Sequence, residues 1–210
     1  MVLAKSSLKA EQQIIFEQFL SKFHIHYSNT IDETTTHLIT DSLDENTPLV
    51  CPLTLKVIQA TARHLPIISI QWLVASLTHQ TIVPSQIYEI FLGDPTYGYH
   101  GGFLRSRIPR SQGLLQGIAF RLECPEEDGC PANLADNRAL RELIHLCDGT
   151  IIDEINFNCS TATTTIIVLC NELKRKEQIY TAYVKPEWLL ASIAQFNLQP
   201  FEQFSVEFSN

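Results

Sequence analysis

Residues 69–77 read SIQWLVASL, and residues 185–193 read KPEWLLASI. The two stretches share a tryptophan, a leucine, an alanine and a serine in one order, followed by an aliphatic residue. The tryptophans stand 116 positions apart (188 minus 72), the length of a small domain. A second pair precedes them. Residues 34–40, TTTHLIT, and residues 162–169, ATTTIIVL, are both threonine runs that enter an aliphatic strand. Two matches in the same order point to a duplicated unit.

Working outward, each copy alternates strand and helix patterns. In the first, residues 11–23 carry apolar positions at 15, 16, 19, 20 and 23, a helical stripe. HIHYS and THLIT read as strands. PLTLKVIQATARH reads as a helix with Pro52 at its first position. PIISI is a buried strand, and QWLVASLTH is the closing helix. In the second copy, GIAFRLEC, TIIDEI, TTTIIVLC and AYVK read as strands. NLADNRALRELIHLCDG, ELKRKEQIYTA and PEWLLASIAQF read as helices, with Gly149 a stop signal. Strands alternating with helices predict a small parallel sheet flanked by helices, given twice. The expected domains are residues 1–92 and 114–210. Residues 93–113, rich in Gly, Pro and Arg, read as a linker whose positive groups are His100, Arg105, Arg107 and Arg110. That linker is either simply solvated or in contact with an acidic partner.

The bulk numbers exclude several classes. The chain has 210 residues, is 45% hydrophobic and 18% charged, and folds as an ordinary globular protein would. Its formal net charge of −8 argues against a general binder of nucleic-acid backbones, though a local basic pocket remains open. No apolar run reaches the length of a membrane span, and the first residues lack the form of a secretory signal. The six cysteines, Cys51, Cys124, Cys130, Cys147, Cys159 and Cys170, form no C-x-x-C pair. They read as reduced, partly buried thiols of a cytosolic or nuclear protein. His24, His26 and His37 lack a convergent carboxylate or thiol, so no metal is expected. Glu126–Glu127–Asp128–Gly129 lacks calcium-loop spacing. No P-loop, dinucleotide fingerprint or nucleophile elbow is present, so no enzyme activity and no cofactor are expected.

One short stretch carries chemistry. Ser6 and Ser7, in AKSSLKAEQ, lie between a strand pattern and a helix pattern. Serines there can cap the helix or donate to a phosphate at its positive end.

The order of elements, with a tryptophan-bearing last helix in each copy, resembles tandem BRCT repeats. NTIDETTTHLIT, CPLTLKVI, LGDPTYGYHGG and PEWLLASI are similar to segments of that family, and the likeness spans nearly the whole chain. The resemblance implies an α/β fold of two BRCT repeats, each a small parallel four-stranded sheet with helices, packed head-to-tail. It implies a non-enzymatic module that binds phosphoserine peptides carrying Phe or another hydrophobic residue three positions on. The phosphate would meet Ser6, the backbone N–H of Ser7 and Lys56, with Thr54 in support. The family has glycine at the position of Ser7. The hydrophobic residue would meet Leu53, Ile58, Ala135 and Leu190. The implied partners are phosphorylated proteins of the DNA damage response in the nucleus. A RING-domain heterodimer partner, in a ubiquitin-ligase complex, would be held by a part of the protein outside this chain. The second-ranked resemblance, to the paired repeats of such a RING partner, implies chromatin as the alternative target. A third reading is a structural tandem that only holds proteins together.

Overall fold

A computed structural model describes residues 1–42, 49–123, 136–152, 165–171 and 181–206. Two compact units divide the chain. One comprises Met1–Pro109 with Ala194–Phe196, and the other Arg110–Ile193 with Asn197–Asn210.

In the first unit, β1 (Val2–Ser6), β2 (His26–Tyr27), β3 (His37–Thr40) and β4 (Ile67–Ser69) form a parallel sheet in the order β2-β1-β3-β4. Helices α1 (Ala10–Phe23), α2 (Leu55–Ala62) and α3 (Gln71–Thr78) make the crossovers and the close. Successive strand residues point to opposite faces. Leu3, Ile39 and Ile68 therefore join Phe16, Phe19, Trp72 and Leu73 in one buried cluster. Ala4, Leu38 and Ile67 join Val57 and Ala60 of α2 in another. Both faces are covered, as a parallel sheet requires.

The second unit repeats the plan. Strands β7 (Ile118–Leu122), β8 (Thr150–Ile151), β9 (Thr165–Leu169) and β10 (Ala182–Val184) pair in parallel in the order β8-β7-β9-β10. Helices α5 (Asn137–Leu146) and α6 (Glu187–Ala194) are described. Asp136 caps α5 by accepting the N–H of Ala139 at 2.7 Å. The helix expected over ELKRKEQIYTA, the acidic turn at 126–129, and Cys124, Cys130 and Cys159 fall wholly or almost wholly outside the described residues. Cys51, Cys147 and Cys170 are free and buried. Burial, and then Asp148, pushes the Cys147 thiol up to about 12.

Both tryptophans are buried, 2% exposed at Trp72 and 0% at Trp188. Their surroundings match. The Trp72 indole N–H donates to Val83 O at 2.8 Å, and Ser76 Oγ accepts the Val83 N–H at 3.3 Å. The Trp188 indole donates to Gln199 O at 2.8 Å, and Ser192 Oγ accepts the Gln199 N–H at 3.2 Å. In each copy the shared Trp and Ser thus grip both polar groups of one residue, eleven positions after the Trp. The chain then runs through a short 3₁₀ turn, Gln86–Tyr88 or Phe201–Phe204, and pairs antiparallel with the last strand at Ile68–Glu89 or Val184–Ser205. That segment covers the sheet edge.

Two expectations change. Pro52 is not the first residue of α2, which begins at Leu55 behind an N-cap at Thr54. Thr54 Oγ1 accepts the Val57 N–H at 3.2 Å, a bond that a hydroxyl makes and a proline cannot. The stretch read as a linker is folded. It holds a two-stranded hairpin, β5 (Gly93–Asp94) with β6 (Gly98–Tyr99), and a short helix, α4 (Gly102–Ser106). Asp94, fully buried, fastens the hairpin. Its Oδ1 accepts the N–H groups of Thr96 and Tyr97 at 2.8 and 2.9 Å. The Gly102 N–H donates to His100 Nδ1 at 2.9 Å, which assigns the proton to Nε2, and Nε2 then donates to Asp94 Oδ2 at 2.9 Å. Arg107 pairs with Glu89, and Arg105 donates to Gln195 O in the same unit. His100, Arg105 and Arg107 are thus engaged in the fold.

Candidate functional site

The alternation of β1 decides where each candidate side chain goes. Ala4 and Ser6 share the face of α2, while Leu3 and Lys5 share the face of α1. Ser6, the last residue of β1, therefore meets the start of α2. Its Oγ lies 2.8 Å from Thr54 Oγ1. Thr54 Oγ1 also accepts the Val57 N–H, and of the two hydroxyls either can donate to the other. When Thr54 donates, the Ser6 O–H is left to point outward. This makes a relay of one backbone N–H and two hydroxyls, in which each bond polarises the next.

Lys56 stands two residues past the cap. Its half-buried side chain donates from Nζ to Lys5 O at 3.1 Å. Burial, and then the nearby charge of Lys5, holds the Lys56 ammonium below its ordinary pKa. On the other face, the Lys5 ammonium lies 5.3 Å from the Phe16 ring centre and 5.5 Å from that of Tyr27. Residues 48 and 51 positions apart in sequence thus converge on the C-terminal end of β1. In open parallel sheets that end is where ligands bind. Thr40, in register with Ser6, is buried there, and its Oγ1 has no partner among the described residues.

The expected cap is corrected. Ser6 belongs to β1, and α1 starts only at Ala10 behind Lys9. Gln12 closes that end instead, its Oε1 accepting the Lys9 N–H at 2.8 Å. Its amide donates to Asp41 Oδ1 at 2.7 Å, and Lys9 Nζ sits 3.3 Å from Asp41 Oδ2. Ser7 is exposed, with φ of 51° in the left-handed region. Among the hydrophobic set, Ile58 and Leu190 are buried, at 0% and 3% exposure, and Leu53 is half-buried on the cluster around Val57. Ala135 lies outside the described residues. Among the described residues no three His, Cys, Asp or Glu side chains form a metal-holding group, and no helix is long and apolar enough to cross a membrane.

The roles of Lys5, Lys9 and Asp41 escaped the sequence reading. The signal was present in the spacing K-S-S-L-K around the serines, but only the strand register reveals Asp41 beside it.

Comparison with known proteins follows the same lines. Residues 1–77 match the family model of the BRCA1 C Terminus (BRCT) domain. The crystal structure of the S. pombe Brc1 BRCT5-BRCT6 domains superposes with a TM-score of 0.65, covering 99% of this chain and 97% of that one at 14% identity. The fold is that of tandem BRCT repeats. The breast cancer type 1 susceptibility protein homolog of Rattus norvegicus is 25% identical over 150 residues, 71% of this chain. That of Mus musculus is 23% identical over 212 residues, 96% of this chain. The chain spans 8% and 11% of the length of these two relatives.

Proposed function

We propose that this chain reads phosphoserine on a protein partner of the DNA damage response, with the first BRCT repeat holding the phosphate. The observation that supports this most is the meeting of Ser6, Thr54 and Lys56 at the end of β1. A phosphoserine carries a charge of roughly −1.5 to −2 at pH 7 and three acceptor oxygens. The Ser6 hydroxyl, the Ser7 N–H and the Lys56 ammonium are three donors, one of them a cation, and charge-assisted bonds are the strong ones. Ammonium desolvated in advance gains more from an anion than one left in water.

A hydrophobic residue three positions after the phosphoserine is the second proposed determinant. It rests on the family resemblance at Leu53, Ile58, Ala135 and Leu190. Ile58 and Ala135 stand where the family has larger side chains, so the resemblance implies a pocket of altered shape. A nuclear location accords with the free, buried thiols, which suit a reducing compartment. Of the basic linker groups that the chromatin reading would draw on, His100, Arg105 and Arg107 are engaged within their own unit.

Fluorescence anisotropy tests the proposal. A phosphoserine peptide with Phe at the third following position binds at roughly micromolar strength, about −8 kcal/mol. Its unphosphorylated twin binds far more weakly, and Lys56→Met narrows the difference without unfolding the protein. Equal binding of the two peptides by the unaltered chain refutes phosphate reading.

A further inference from the structure

Six non-glycine residues among those described have left-handed φ: Ser7, His24, His64, Gln80, Asp148 and Phe196. Five of them end helices, namely α1, α2, α3, α5 and α6 in turn. At each of the five the next residue's N–H closes back on a carbonyl five positions earlier. The bonds are Ile25 to Leu20, Leu65 to Ala60, Thr81 to Ser76, Gly149 to Ile144 and Asn197 to Ser192, all at 2.8–3.2 Å. This is the usual way a helix end repays a left-handed residue.

Ser7 is the exception. It follows a strand, closes no helix, and its hydroxyl has no hydrogen-bond partner among the described residues. A left-handed serine costs conformational energy that a glycine would not. Nothing among the described residues repays it. Strain of this kind concentrates where a ligand is bound. Ser7 is exposed and directly follows Ser6, whose hydroxyl is poised by Thr54. The lysines nearest in sequence are Lys5, held over two rings, and Lys9, held by Asp41. Ser7 is held by no such partner.

We infer that the Ser7 side-chain hydroxyl is a further donor to the bound phosphate, so that this site reads its ligand with two serine hydroxyls, the backbone N–H of Ser7 and Lys56. The inference rests on the phosphoserine reading above and deepens it. Two hydroxyls from adjacent residues at the C-terminal end of β1 suit an acceptor with three oxygens. A carboxylate carries one negative charge against the phosphate's roughly −1.5 to −2, and gains less from Lys56. The site is therefore selective for phosphate over an Asp or Glu substituted for the phosphoserine.

Two variants of Ser7 separate this role from a structural one. Ser7→Ala keeps a side chain on the strained turn and removes only the hydroxyl. Ser7→Gly removes the hydroxyl and the strain together. Anisotropy titrations with the phosphoserine peptide and its unphosphorylated twin are run on the whole chain, beside thermal unfolding. Both variants weaken phosphopeptide binding by about tenfold, the size of one hydrogen bond to a charged group. Neither changes binding of the unphosphorylated twin. Ser7→Gly raises the melting temperature by a few degrees while losing affinity, a split that a purely structural serine would not show. If the unaltered chain prefers the phosphopeptide and Ser7→Ala binds it as tightly or more tightly, the hydroxyl is a bystander or an obstruction, and this inference alone fails. If the unaltered chain ignores phosphorylation, the phosphoserine reading and the Ser7 role fall together.

Discussion

Lys56 is the residue on which charge and fold pull in opposite directions. Burial and Lys5 hold its pKa down, so its ammonium form costs the folded chain stability at neutral pH. The sign follows from linkage. A cation with a lowered folded pKa destabilises in full below that pKa, and the cost is lost as pH rises from it to the ordinary value of the unfolded chain. A bound phosphate reverses the effect by favouring the charged form. Affinity must then fall as pH climbs past the Lys56 pKa of the free protein. It must also fall on the acid side, near pH 6, where a phosphoserine gives up its second negative charge. The expected profile of affinity against pH is a bell. In Lys56→Met the alkaline limb vanishes and the acid limb stays, and the variant is at least as stable as the parent at pH 7. An alkaline limb that survives in Lys56→Met would assign the titration to another group. At this scale the sequence was readable only through family likeness. Neither spacing nor periodicity brings Ser6 to Thr54, because a strand end and a helix start 48 positions apart meet only through the β1–β3 register. The cap at Ser6–Ser7 was misread for a local reason. Serine before a helical stripe usually caps it, but here the strand runs on to Ser6 and a glutamine closes the helix.

Elements were legible where a period was long and clean. The stripe over residues 11–23 became α1, and consecutive apolar residues, pointing to opposite sides, gave β3 and β4 their two buried faces. The folded hairpin at residues 93–99 was not legible. Its order comes from one buried carboxylate and one imidazole, and two such residues leave no periodic trace. The threonine run had a second meaning as well. Asp32 accepts from the Thr34 hydroxyl at 2.6 Å and the Thr34 N–H at 2.8 Å, which holds its carboxyl down to about 2 and turns the chain into β3. The repeated W-L-x-A-S pattern has the fullest explanation. Leucine and alanine pack, while Trp and Ser together hold the segment that shields the sheet edge. Truncating Trp72 to alanine costs about 3–5 kcal/mol. The sharper expectation concerns the serine. Ser76→Ala leaves the Val83 N–H unpaired and costs about 1–2 kcal/mol. Ser192→Ala does the same at Gln199. In urea titrations each lowers the midpoint without changing the slope, as a loss of stability alone requires. An unchanged midpoint in both variants would mean that the grip is made by the indole alone.

The whole molecule sets the conditions under which the site works. The chain carries a formal net charge of −8, yet the proposed ligand is an anion. The long-range field therefore opposes the approach of a phosphopeptide, and the cations at the end of β1 attract it at short range. Overall charge acts mainly on association, whereas close contacts act on dissociation. This separates two peptides with the same phosphoserine and the same hydrophobic residue three positions on. One is flanked by lysines and the other by glutamates, outside the recognised stretch. The lysine-flanked peptide associates faster at low salt. The gap narrows as the Debye length falls from about 30 Å at 0.01 M to about 8 Å at 0.15 M. The dissociation rates differ little, because the flanks lie outside the contacts with Ser6, Ser7 and Lys56. Stopped-flow anisotropy measures both rates. Association rates that are equal at low salt would show that the ligand approaches along a path where the site's own cations already dominate. A difference confined to dissociation would place the flanking residues in contact with the protein and enlarge the recognised motif beyond the phosphoserine and its third neighbour.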